Sequence, residues 1–182
     1  MAEVFNSPPT FTANQWEKKG RFYEVLGKEI FIIEKGDHEE CLFILHGYLT
    51  SSYDYYKVLD ALAEKYRVVI PDIFGFGLSE KNANHYTTII TQVDYLVELC
   101  KQMGLQQISI LSHDFGIALG QELLTRDNAG LLNIDIKEFI YCNGILPIKN
   151  SYFLDIKDYV KKEVATKIIT MLTTSGFFKK KY

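Results

Sequence analysis

What this sequence lacks narrows its class. It has only three cysteines, Cys41, Cys100 and Cys142, an odd number with no CxxC pair and no metal-like spacing. Each lies in an apolar stretch, so they read as buried, reduced hydrophobes, which favours a reducing compartment over a disulfide framework. No uninterrupted apolar stretch is long enough to cross a bilayer. The opening residues MAEVFNSPPTF carry neither the charged segment nor the apolar core of a signal peptide. A strong charge of one sign is absent too: 20 Lys and Arg against 23 Asp and Glu leave a formal net charge of −3. That balance offers nothing to hold nucleic acid or an anionic membrane surface. The basic tail Phe177-Phe178-Lys179-Lys180-Lys181 is too short to change this and reads as a solvated end. Internal repeats and low-complexity segments are missing as well. The expectation is a cytoplasmic, soluble protein, and 182 residues suffice for one domain with a real core.

What is present alternates. Residues 1–20, broken by Ser7-Pro8-Pro9, read as an irregular segment. Residues 21–34 read as two strands around Gly27-Lys28, where glycine supplies the positive φ of a tight hairpin. CLFIL (41–45) is a continuous apolar run of strand length, as in a strand buried on both faces. Residues 54–65 and 89–103 show helical period, the second closed by Gly104; RVVIP (67–71), residues 107–111 and KEFIYC (137–142) read as strands; 115–126 and 153–174 read as helices. Strands alternating with helices after an opening hairpin predict an α/β domain with a mostly parallel sheet and flanking helices. In such sheets ligands bind beyond the carboxyl ends of the strands, which singles out the residues after 45, 71, 111 and 142.

Three stretches stand at those ends. His46-Gly47-Tyr48 follows the first strand, the D-x-x-G-x-G-x-S run from Asp72 to Ser79 follows the second, and Ser112-His113-Asp114-Phe115-Gly116 lies between the third strand and its helix. The last has a small residue two positions to either side of Asp114. Where a strand turns sharply into a helix, bulky neighbours at those places would collide as the backbone bends. A serine reading centred on Ser112 would need small residues at Ile110 and Asp114, and it fails at both. Asp114 is thereby the candidate nucleophile, with a helix-capping carboxylate as the competing reading. Asp72 reads as a loop brace, and His38, His46, His85 and His113 read as structural or surface residues. Tyr152 and Tyr159 read as core packing on a helix face. No metal or organic cofactor is implied.

In this order and spacing the three stretches resemble the α/β-hydrolase superfamily. The central aspartate resembles the epoxide hydrolase and haloalkane dehalogenase branch, and HGYLTSSYDYYKVL, DIFGFGLSEK and HYT are similar to its mesoderm-specific transcript-like members. The resemblance runs from about residue 20 to residue 148. It implies that Asp114 attacks carbon to form an ester, that a histidine-activated water then releases the product, and that the backbone N–H groups of Tyr48 and Phe115 form the oxyanion hole. His46, Gly47, Ser112, His113 and Gly116 would support the site structurally. The implied substrate is a small apolar epoxide or ester. Halide release is poorly supported, because Phe115 and Tyr48 stand where dehalogenases carry halide-binding donors. Leu49 stands where many relatives have proline.

The resemblance also implies a catalytic histidine and an acid far downstream of the nucleophile. No histidine follows His113 here, and Asn143 occupies a place where some dehalogenases have their acid. The expectation is an α/β-hydrolase core over 21–144 with the start of a lid at 145–182, truncated in the lid region, either a truncated gene product or a fragment. Such a chain exposes a strand edge and is prone to self-association. A non-catalytic relative acting as a binding or interaction module is the alternative function.

Overall fold

The hairpin opens the sheet and its turn chemistry is visible in the backbone. In the computed structural model, which describes residues 12–81 and 87–143, strands β1 (Arg21–Val25) and β2 (Lys28–Lys35) pair antiparallel in register Val25↔Lys28. The turn is Leu26-Gly27, with φ of 51° and 73°, so it sits one residue earlier than the sequence suggests. Two positive φ values in succession match the right-handed twist of the flanking strands.

Strands β3 (Cys41–Leu45), β4 (Arg67–Pro71), β5 (Gln107–His113) and β6 (Asp135–Cys142) complete a six-stranded sheet of order β1-β2-β4-β3-β5-β6. β3 runs parallel to both β4 and β5, and β5 runs parallel to β6. The apolar runs are explained by two faces buried at once. Cys41, Phe43 and Leu45 enter one core with Ile30, Ile32, Val69, Ile108 and Ile110, under the long helices; Leu42 and Ile44 enter another with Phe31, Ile33, Val68, Ile70 and Trp16.

Helix α1 (Ala13–Glu17) is a short turn within the stretch read as irregular, and it carries buried Trp16 into the second core. The helix expected over 54–65 is instead a 3-10 turn, Ser52–Tyr55, followed by the short α2 (Leu59–Ala63). The aromatic side chains that mimic a helical stripe there pack differently: Tyr53 stacks on Tyr56 at 5.0 Å and meets Trp16 edge-on at 5.6 Å. Helix α3 (Ile89–Gln102) starts at Thr88, whose hydroxyl accepts from the Thr91 N–H, and ends before Gly104 at φ 67°. Helix α4 (Phe115–Asn128) lies against it, clamped by Arg126, which donates to Asp94 at 2.7 Å and to Glu122 at 2.8 Å.

Nearly all described residues belong to one compact unit, Gln15–Ile145. Residues 1–11 of the expected irregular segment 1–20 and the expected lid start at 145–182, with Tyr152, Tyr159, His85 and the helix over 153–174, lie outside the described residues. β6 closes one edge of the sheet, with Ile140 and Tyr141 each about 40% exposed (40% and 41%). Among the described residues no helix is long and apolar enough to cross a membrane. All three cysteines are free thiols, and burial pushes the Cys41 thiol up to about 11.

Candidate active site

Because β3 lies between β4 and β5 and parallel to both, three strand ends open side by side. His46 follows β3, Asp72 follows β4 and Asp114 follows β5. The sequence separates them by 26 and 42 residues; the sheet makes them neighbours.

Asp114 occupies the bend between β5 and α4 at φ 49°, ψ −116°, a conformation that a non-glycine residue holds only under constraint from its surroundings. Its side chain makes no capping hydrogen bond to α4, which removes the helix-cap reading. Oδ1 instead accepts from the Tyr48 N–H at 2.7 Å, and Oδ2 has no hydrogen-bond partner among the described residues. Of the two expected oxyanion donors, Tyr48 is therefore aimed at the carboxylate, while no hydrogen bond from the Phe115 N–H to it forms. Asp114 itself is exposed; it does not sink into a closed cleft formed by the described residues.

The small residues have identifiable neighbours. A side chain on Gly116 would strike the Leu45 carbonyl and lie 2.8 Å from that of His46, so glycine lets α4 start against the end of β3. At Gly47 a Cβ would lie 3.0 Å from both Asp114 Cβ and His113 Nδ1. Ser112 turns the other way. Its Oγ is fully buried under α4, 2.7 Å from where a Gly120 Cβ would stand, and finds no hydrogen-bond partner. It is not a nucleophile facing the strand ends.

His46 is fully buried and occupied at both ring nitrogens. Nε2 accepts from the Ile73 N–H at 3.0 Å, which places the proton on Nδ1, 2.9 Å from the Gly47 carbonyl. Burial holds its pKa below the ordinary 6.5, against the opposing pull of Gly47, Asp72 and Asp54. It ties the β3 loop to the β4 loop as a neutral imidazole. Asp72 does the same from the other side: Oδ1 accepts from the Ser52 N–H at 2.6 Å and Oδ2 from the Leu78 N–H at 2.7 Å, while the Ser79 hydroxyl donates to its carbonyl at 2.5 Å. Trp16 Nε1–H donates in turn to Ser52 Oγ at 3.0 Å.

The sequence did not single out Phe76. It projects from the glycine-rich loop toward Tyr48, with ring centroids 5.9 Å apart, and toward Phe115 at 6.0 Å; Tyr48 and Phe115 stand 6.5 Å apart. An aromatic residue held between two glycines at a strand end was the available signal. Among the described residues no group of three or more His, Cys, Asp or Glu could hold a metal ion. Open clefts of about 400 and 540 Å³ lie at the opposite, amino ends of the strands, around Cys41 and Gln107.

Comparison with known proteins identifies the fold. Residues 40–154 match the family model for the alpha/beta hydrolase fold. The human mesoderm-specific transcript homolog protein is 36% identical over 156 residues, 79% of this chain and 46% of that protein. An epoxide hydrolase from Vigna radiata superposes with a TM-score of 0.64 at 26% identity, covering 78% of this chain and 44% of that one. An ancestral haloalkane dehalogenase superposes with a TM-score of 0.69 at 21% identity, over 86% and 55% of the two chains, a likeness of fold. The chain spans about half the length of the curated relatives it matches.

Proposed function

The chain belongs to the α/β-hydrolase fold family, and from that premise we propose that it falls in the branch of epoxide hydrolases and haloalkane dehalogenases, with Asp114 as a carboxylate nucleophile acting on small apolar epoxides or esters. The observation that carries this reading is the division of labour in its carboxylate. Oδ1 is held by the Tyr48 N–H, leaving Oδ2 to attack. With an epoxide, Oδ2 bonds to a ring carbon, the ring C–O bond breaks, and the released alkoxide takes a proton from water. The product is a hydroxyalkyl ester of Asp114 whose carbonyl oxygen, Oδ1, already faces a backbone donor. That donor, joined by the Phe115 N–H at the positive end of α4, would stabilise the oxyanion when water attacks the ester.

Turnover needs a base for that water. His46 spends both nitrogens on backbone groups, so within these residues ester hydrolysis proceeds without the assistance worth about 10²–10⁴-fold in such steps. This observation favours a second reading, a non-catalytic relative that serves as a binding or interaction module. The three free thiols, Cys41 and Cys100 buried and Cys142 only half-buried where the sequence predicts burial, suit a cytoplasmic setting.

Intact-mass spectrometry with a panel of reactive epoxides tests the proposal. The expected result is a one-to-one adduct on the wild-type chain, mapped to Asp114 and absent from Asp114→Asn. Failure of every epoxide to modify Asp114 would overturn it.

A further inference from the structure

We infer that Tyr48, Phe76 and Phe115 form a recognition wall beside Asp114 that selects substrates bearing an aromatic ring, with Phe76 as the specificity-determining residue. The inference rests on Asp114 being the nucleophile and adds the class of electrophile it receives.

The wall is a corner of three rings. Phe76 and Phe115 are inclined by 33° to each other, and Tyr48 stands at 73° and 69° to them. Rings at these separations use edge-to-face contacts, in which the positive edge of one meets the negative face of another. An aryl group entering the corner finds the same complementarity, whereas an alkyl group gains only from its area. The corner is also uncovered where it matters. Tyr48 is 58% exposed although it sits on a backbone whose N–H reaches Asp114. A large exposed aromatic beside this carboxylate, backed by the half-buried Phe76 and Phe115 rings, is surface that a ligand can cover.

Phe76 is the ring that anchors the other two. It meets Tyr48, Phe115 and the buried His46 ring, the last at 5.7 Å. Its backbone is locked: the Phe76 N–H donates to the Ile73 carbonyl at 2.8 Å, its carbonyl accepts from the Ser79 N–H at 3.1 Å, and Gly77 at φ 50° leaves room for the Asp72 carboxylate. A wall held this way needs no ordering when substrate arrives, so its contacts appear in affinity. The short, side-chain-free glycines on either side, Gly75 and Gly77, leave the ring as the loop's reach toward the strand ends.

The test measures rates of Asp114 alkylation by intact mass, with styrene oxide and with 1,2-epoxybutane, each divided by the rate of the same epoxide with free acetate. The wild-type chain is expected to favour the aryl epoxide by roughly tenfold or more on this corrected scale, from aromatic contacts alone. Phe76→Leu, which keeps an apolar side chain and the loop's backbone bonds, should bring the ratio near one, and Phe76→Tyr should restore it. Circular dichroism and thermal melting confirm that each variant is folded. A ratio near one in the wild type, or one that Phe76→Leu leaves unchanged, overturns the inference while the adduct itself keeps Asp114 as nucleophile. Absence of any adduct overturns both.

Discussion

The Tyr48 N–H reaches Asp114 Oδ1 at 2.7 Å across 66 residues of sequence. The donor is presented by a backbone that turns left-handed at the next residue, Leu49, with φ 59°. Proline is confined near −65° and could not take that place. Leu49→Pro should therefore move the Tyr48 N–H away from the carboxylate and slow hydrolytic decay of the Asp114 adduct by about 10²-fold, the usual worth of an oxyanion donor. Leu49→Gly should keep the decay rate and raise stability by about 1 kcal/mol, since glycine holds positive φ without strain. Single-turnover mass kinetics and denaturant titration read both.

Asp114 carries backbone strain of its own. Asp114→Gly relieves it and is expected to stabilise the chain by about 1 kcal/mol, offset in part by the lost Tyr48 hydrogen bond, while abolishing the adduct. A variant that melts higher yet cannot be alkylated is the signature; a lower melting temperature would contradict the strain.

Ser112 offers the opposite contrast. Its buried hydroxyl has no partner among the described residues, so Ser112→Ala should leave stability unchanged or raise it by about 1 kcal/mol, and should leave Asp114 alkylation untouched. Loss of adduct in Ser112→Ala would reinstate the serine as the reacting group.

His46 makes stability depend on pH. Its folded pKa lies below the ordinary 6.5, so the unfolded chain binds the proton more readily. The contribution is full above about pH 6.5 and is lost as pH falls from there toward the folded value, by up to about 1.4 kcal/mol per pH unit. Chemical denaturation between pH 7.5 and 5 should show this slope in the wild type and a shallower one in His46→Gln.

Among the described residues β6 ends the sheet, with Ile140 and Tyr141 exposed. The proposed self-association through this edge predicts a sedimentation mass above 21.0 kDa at tens of micromolar. Ile140→Lys should return the chain to a monomer; a monomeric wild type would end the idea.

Much of the fold is legible because its rules are local and strong. CLFIL reads as a doubly buried strand since nothing polar interrupts it, and Ser112-x-Asp114-x-Gly116 reads as a sharp bend since only small side chains clear the turning backbone. Where several weak effects compete, reading fails. Tyr55, Val58, Leu59 and Leu62 have helical spacing, yet the chain forms a 3-10 turn at Ser52–Tyr55, where Tyr53 packs on Trp16 and Tyr56, before a short helix begins at Leu59. Leu49 betrays no left-handed backbone, because leucine rarely adopts one. Phe76 belongs to a loop whose glycines are the visible signal, and its partners are brought in by tertiary contacts from two other strand ends.

The pairing of Leu45 with Ser112, the last rung between β3 and β5, has a consequence for biosynthesis. On the ribosome, β1 to β4 can assemble as soon as they emerge, but they contain only the Tyr48 half of the arrangement. The Asp114 carboxylate is translated 66 codons after Tyr48 and gains its partner only when β5 docks beside β3, a contact of high sequence separation that forms slowly. The chemistry proposed for position 114 would thus be withheld from the nascent polypeptide until the sheet around it has closed.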